Sequence, residues 1–213
     1  MSSNGLLRAP VGVTVASDGG IFVADLTGAI VRIDPDSGEQ LGINAGTYLV
    51  NPVGIAIDGS GKLLVADEGS HAVVRIDAAT GTQEMVSGGG DLVTPVSVAI
   101  DAHHDILVGD PDAFNLNGGV IQVDPVSATQ TNVYVGSGEM VNPRGIAIVP
   151  TASERIARLC PCSGPSPSET WKGHRGYVRA VTKVARQFVR ADFITHEEKL
   201  AVIREARASD CGR

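Results

Sequence analysis

A short phrase recurs along this chain. PVGVTVA begins at Pro10, PVGIAID at Pro52, PVSVAID at Pro95 and PRGIAIV at Pro143, at spacings of 42, 43 and 48 residues. A period of about 40 to 50 residues is the length of one blade of a β-propeller: a small sheet that cannot bury its apolar faces alone and so stacks on its neighbours. The offsets inside each repeat hold as well. Fifteen residues separate the Pro from Asp25, Asp67 and Asp110, which end a second apolar run (FVAD, LVAD, LVGD), and a third run ends on Asp34, Asp77 and Asp124.

These runs are short, rich in Val and Ile, and bounded by Gly, Asp and Pro, the composition of strands joined by tight turns. In IDPDSG, Pro35 presets φ for a turn and Gly38 supplies a positive φ, which closes a hairpin onto a weaker fourth strand (QLGINAG, QEMVSGG, QTNVYVG). The expected fold class is mainly β: a partial, about three-bladed β-propeller with a C-terminal α-helical hairpin. Its blades cover about residues 10–51, 52–94 and 95–142, followed by a lone strand at 143–149.

Charge divides the chain. Residues 1–150 carry 5 Lys/Arg against 17 Asp/Glu, and residues 151–213 carry 12 against 7, which together give the net −7. Such a break separates two units with different surfaces. The acidic repeats would repel phosphate, which argues against nucleic acid as their partner. No apolar run approaches the roughly 18 residues of a membrane span. The start, MSSNGLLRAPVG, shows no charged stretch followed by an apolar one, so no signal peptide is legible.

The pattern P-x-G-I-A-I-D, G-x-L-x-V-A-D, V-x-R-I-D resembles NHL-type propeller repeats and the related repeats of streptogramin lyase and gluconolactonase-like proteins, over about residues 8–149. Propellers of this kind host unrelated functions. The resemblance implies two readings. The favoured one is a non-catalytic scaffold for protein or ligand binding and assembly, with no catalytic residue and no cofactor. The alternative is a metal-dependent enzyme of the lactonase or streptogramin-lyase kind, holding Ca or Mg on Asp25, Asp67 and Asp110, with Glu68 and Asp112 nearby. An Asp at the same place in every blade fits a turn better than a catalytic site, which needs different residues in different blades. His71 sits in a turn, and His103 and His104 lack a matched partner for base catalysis.

Propellers close with 4 to 8 blades, and three do not close a ring. Three readings stand: part of a longer propeller, an arc capped by the tail, or two chains completing a six-bladed homo-oligomeric ring. Between Asp110 and Asp124 there are 14 residues where the other repeats have 9 and 10. Insertions on one face of a repeat array mark binding faces, which makes Phe114, Asn115 and Asn117 the candidate ligand-binding residues.

Beyond Thr151 the repeat stops. Residues 151–170 read as a linker, with the Pro/Ser/Gly-rich SGPSPSET at 163–170, and residues 171–213 as a helical tail. Tyr177, Val178, Val181, Val184, Ala185, Phe188 and Val189 recur at helical spacing. Arg175, Arg179, Lys183, Arg186 and Arg190 share an arc of about 80° on the other side, a solvated face or one that docks an acidic surface or an anionic group. THEE at 195–198 reads as a capping box for a second helix that turns Leu200 and Ile203 inward.

All three cysteines, Cys160, Cys162 and Cys211, lie in this tail. The segment CPC...WKGHRGYV...FVRADFITHEEK...SDCG resembles a small cysteine-containing C-terminal module of exported bacterial proteins. That likeness implies a bridge from Cys211 to Cys160 or Cys162, an oxidising compartment and a secreted or periplasmic location. The module carries a further cysteine where this chain has Ala180. Free thiols in a reducing compartment, or a zinc site on Cys160, Cys162, His174 and Cys211, are the competing readings.

Overall fold

The computed structural model describes residues 5–43, 47–101, 104–136, 142–148, 151–165, 169–191 and 193–212. The chain forms two compact units, Met1–Ile148 and Val149–Arg213.

Among its described residues the first unit forms three four-stranded antiparallel sheets. Sheet one is β1 (Pro10–Val15), β2 (Ile21–Asp25), β3 (Ala29–Ile33) and β4 (Gln40–Ile43). Sheet two is β5 (Pro52–Ile57), β6 (Leu63–Asp67), β7 (Ala72–Ile76) and β8 (Gln83–Gly88). Sheet three is β9 (Ser97–Ile100), β10 (Ile106–Asp110), β11 (Gly119–Val123) and β12 (Gln130–Val135), with a single helical turn, α1 (Ala113–Leu116), between β10 and β11. In each sheet the strands lie in chain order, each hydrogen-bonded to the next. These are the expected blades.

Adjacent blades bury apolar side chains against each other, and the middle blade does so on both faces. Phe22, Ala24 and Ile30 of the first blade share a core with Ile55, Leu63, Val65 and Val74 of the second. On its other face the second blade gives Leu64, Ala66 and Val73 to a core shared with Val98, Ile106, Val108 and Ile121 of the third. The alternation of strand side chains lets one sheet serve two interfaces, and β6 is buried at all five positions.

The inner strands approach closely, which explains the glycine of the repeated phrase. A Cβ on Gly12 would overlap the Val53 carbonyl oxygen, and one on Gly54 would stand 2.7 Å from the Ser97 Cα. The third repeat places Ser97 at this position, with its hydroxyl buried and without a hydrogen-bond partner among the described residues.

The fourth occurrence does not make the expected strand at 143–149. Residues 142–148 have no strand pairing, and Val149 lies outside the described residues. A strand exists by its ladder, and the sequence turns helical before a second strand of that repeat is written. Ile146 nonetheless packs beside the third blade, its Cδ1 3.4 Å from where a Gly109 Cβ would sit.

Among its described residues the second unit holds three helices rather than two: α2 (Ala152–Leu159), α3 (His174–Arg190) and α4 (His196–Ala208). Helix α2 falls within the expected linker at 151–170. Ala152, Ile156 and Cys160, four residues apart, are 6, 1 and 2% exposed and give this segment a buried stripe. Tyr177, Val181 and Ala185 of α3 meet Val202 and Ala206 of α4 in the same core. Leu200 does not face inward as expected. It is 51% exposed, and the capping box at Thr195 and Glu198 starts the helix in a phase that turns Val202 inward instead. Among the described residues no helix is long and apolar enough to cross a membrane.

Candidate functional site

Asp25, Asp67 and Asp110 each end the second strand of a blade with 0% exposure. Asp25 accepts from the amides of Arg8, Ala9 and Thr27 and from the Thr27 hydroxyl, at 2.6 to 3.1 Å. Asp67 accepts from the amides of Val50, Asn51 and Ser70. Asp110 accepts from the amides of Val93, Thr94, Asp112 and Ala113 and from the Thr94 hydroxyl. One carboxylate therefore ties the segment entering a blade to the turn after its second strand, in all three blades. Burial alone would raise the Asp25 carboxyl, but the Thr27 hydroxyl and three amides outweigh it and hold it below the ordinary carboxylate range.

A second aspartate in each repeat closes the outer hairpin. Asp34, Asp77 and Asp124 accept from the amides of Ser37, Thr80 and Ser127 and from the residue before each. Those amides depress all three carboxyls. Much of the acidity of the repeats is thus turn chemistry.

A glutamine at the start of each fourth strand does a related job. Gln40 Oε1 accepts from the Leu6 amide, Gln83 from Tyr48 and Gln130 from Asp91. With the Asp at the other end, each glutamine pins a strap of chain across its blade. Leu49 and Leu92, three residues before their prolines, sit in the interblade cores on such straps. Sequence reasoning passed over these residues, although QLG, QEM and QTN each begin six residues after the third-strand Asp.

Other candidate residues are dispersed. Asp112 accepts from the Thr94 hydroxyl at 2.9 Å, and Glu68 is exposed. His71 adopts a positive φ in its turn and its ring bonds the Val93 carbonyl. His104 has φ +71°, and His103 lies outside the described residues. Among the described residues no group of three or more His, Cys, Asp or Glu stands close enough to hold a metal ion.

In the inserted loop, Phe114, Asn115 and Leu116 all have φ between +55° and +67°. Phe114 turns its ring onto the third-blade core, where a Cβ on Gly119 would overlap it. Asn117 donates to the Phe114 carbonyl at 2.7 Å. Asn115 and Leu116 are exposed, Leu116 by 72%. The loop thus presents an amide and an apolar side chain, with the aromatic ring serving as its foot.

In the tail, Cys162 and Cys211 form a disulfide. The zinc reading fails because that bond takes two of its four ligands. His174 faces the carbonyls of Cys211 and Arg207 at 2.9 and 3.2 Å. Cys160 is free, and burial pushes its thiol up. Arg175, Arg179, Lys183, Arg186 and Arg190 are all exposed, as the helical spacing predicts.

The NHL repeat family matches residues 49–76. Among curated proteins none matches the chain in sequence. Solved structures similar to it include a catalytically inactive virginiamycin B lyase from Staphylococcus aureus with quinupristin, at a TM-score of 0.52 and 15% identity over 65% of this chain and 45% of that one. A gluconolactonase from Xanthomonas campestris gives 0.51 and 18% identity, over 59% and 47%. The nidogen/laminin complex gives 0.54 and 18%, over 64% and 51%. The chain therefore spans about half the length of these structures or less. Residues 49–76 match the NHL repeat model, and the three sheets of the first unit share their fold with these solved structures.

Proposed function

We propose that this chain is a non-catalytic β-propeller scaffold that works by binding a protein or small ligand and by assembling with itself. The observation that carries this reading is the equivalence of Asp25, Asp67 and Asp110. Each carboxylate is spent on backbone amides in the same way, so the residues a metal-dependent propeller would need are occupied with holding straps. Similar folds occur in a lyase, a lactonase and the nidogen/laminin complex, which supports a binding surface without choosing its ligand. The loop carrying Phe114, Asn115 and Asn117 is the proposed contact face. The Cys162–Cys211 bridge supports an oxidising compartment outside the cytosol.

Thermal melts with added calcium or magnesium, and with a chelator, test the reading. A cation site loaded at a hundred times its Kd adds about 2.7 kcal/mol to stability, a shift of several degrees. The scaffold is expected to melt at the same temperature in all three conditions. A rise with either cation, reversed by the chelator, would instead support the metal-dependent lactonase or lyase reading.

A further inference from the structure

One face of the first blade is exposed among the described residues. Val13 and Val15 share one face of β1 and are 65 and 62% exposed, and Val11, at a register irregularity between Pro10 and Gly12, is 49% exposed. At the same repeat positions in the next blades, Ile55, Val96 and Val98 are each 8% exposed, and Val53, Ile57 and Ile100 are half-buried. Ile55 is covered by Phe22, Ala24 and Ile30 of the blade before it, and Val98 by Leu64, Ala66 and Val73. Val13 and Val15, with Val11 beside them, therefore carry the chemistry of an interblade contact on a strand face that is exposed.

The complementary surface is carried at the other end of the same unit. By register, Leu107, Gly109 and Val120 of the third blade correspond to Phe22, Ala24 and Ile30 of the first. Leu107 and Val120 are only half-buried. What lies beside them is the Pro143–Ile148 segment, PRGIAI, which repeats β1 (PVGVTV) in sequence and sets Ile146 near Gly109. Ile146 holds the register position of Val13. The segment stands where the first strand of a following blade belongs, yet it has no ladder to keep it there.

We infer that a second copy of this chain docks head to tail, its Val11, Val13 and Val15 face packing on Leu107, Gly109 and Val120 in place of Pro143–Ile148. This rests on the assembly part of the scaffold reading. The contact repeats the one already made twice within the chain. Its two faces lie on opposite ends of a three-blade arc, so two copies make it twice and complete six blades, within the range at which propellers close. The segment Pro143–Ile148 acts as a stand-in for the partner's first strand and competes with it.

Sedimentation equilibrium of the full chain tests this with two substitutions of opposite expected effect. The native chain should be a reversible dimer. Val13→Asp puts a carboxylate at the centre of the contact and should weaken association by at least about 100-fold. Ile146→Asp loosens the stand-in and should strengthen association by about tenfold, since the competent fraction rises. Far-UV circular dichroism unchanged in both variants confirms that the blades are intact. Association equal to native in Val13→Asp, or a native chain and an Ile146→Asp chain that both stay monomeric, would overturn the inference. So would an open-ended series of larger species. A melt unmoved by cations alongside such a result keeps the binding scaffold and removes only the docking. A cation-shifted melt with a Val13-dependent dimer does the reverse.

Discussion

Single residues in this protein are reused rather than reinvented. The hairpin between the third and fourth strands ends each time on a left-handed residue: Gly38 at φ +71°, Gly81 at +74° and Ala128 at +60°. Each donates its amide back to the strand-ending Asp, at 2.7 to 3.0 Å. Left-handed backbone costs a residue with a Cβ about 1–2 kcal/mol, so the third hairpin is built against its own residue. Ala128→Gly is expected to raise stability by about 0.5–1 kcal/mol, the strain relieved less the extra freedom of the unfolded chain. Gly38→Ala should lower stability by a similar amount. Urea titrations followed by far-UV circular dichroism read both. The third turn was less legible than the first because DPVSAT lacks the glycine that advertises the conformation, although the Asp and Pro that open the turn are in place. The aspartates were legible for the opposite reason. They recur at fixed offsets, and a recurring polar residue beside a turn has one common use.

At the scale of elements, strand positions followed from the period, but what lies between strands did not. The straps pinned by Gln40, Gln83 and Gln130 are irregular backbone, whose apolar residues carry no alternation to detect. Helix α2 was missed because a Pro/Ser/Gly-rich stretch follows it closely and its buried stripe is only three residues long. The 143–149 segment misled in the other direction, since a strand-like sequence cannot become a strand without a partner. The inner strands supply the sharpest test of the packing. A Cβ on Gly54 would lie 2.7 Å from the Ser97 Cα and 3.0 Å from the Val96 carbonyl oxygen, both backbone. Backbone cannot rotate away as a side chain does, so Gly54→Ala forces β5 and β9 apart. The expected cost is about 2–3 kcal/mol, the upper range for overpacking a well-filled core. Gly61→Ala, at a positive-φ turn with nothing within 4 Å, measures the backbone term alone. Chemical denaturation that places Gly54→Ala no lower than Gly61→Ala would show that the inner strands are not in contact.

At the scale of the molecule, the repeats and the tail solve the problem of stability in different ways. Three blades share two interblade cores, and the middle blade is buried on both faces. The tail is a small unit with one core of modest side chains, and below about 70–80 residues such a core seldom holds a fold without a staple. The Cys162–Cys211 bridge is that staple. It closes a sequence separation of 49 residues, a loop for which the chain-entropy relation gives about 4 kcal/mol. It also joins the segment after α2 to the end of α4, so that the unfolded tail loses most of its freedom to separate its ends. Trp171, the one tryptophan of the chain, packs against the tail core and makes an edge contact with Tyr177 at 5.7 Å. Its fluorescence therefore reports on this unit. Adding a reductant, or replacing Cys211 with Ser, is expected to bring the Trp171 transition to markedly lower denaturant, by an amount equivalent to about 2–4 kcal/mol. Ala substitution at the free Cys160 provides the contrast, since it removes a buried sulfur without opening the loop. A Trp171 transition that reductant leaves in place would show that the three-helix core holds itself together and that the bridge adds no stability to it.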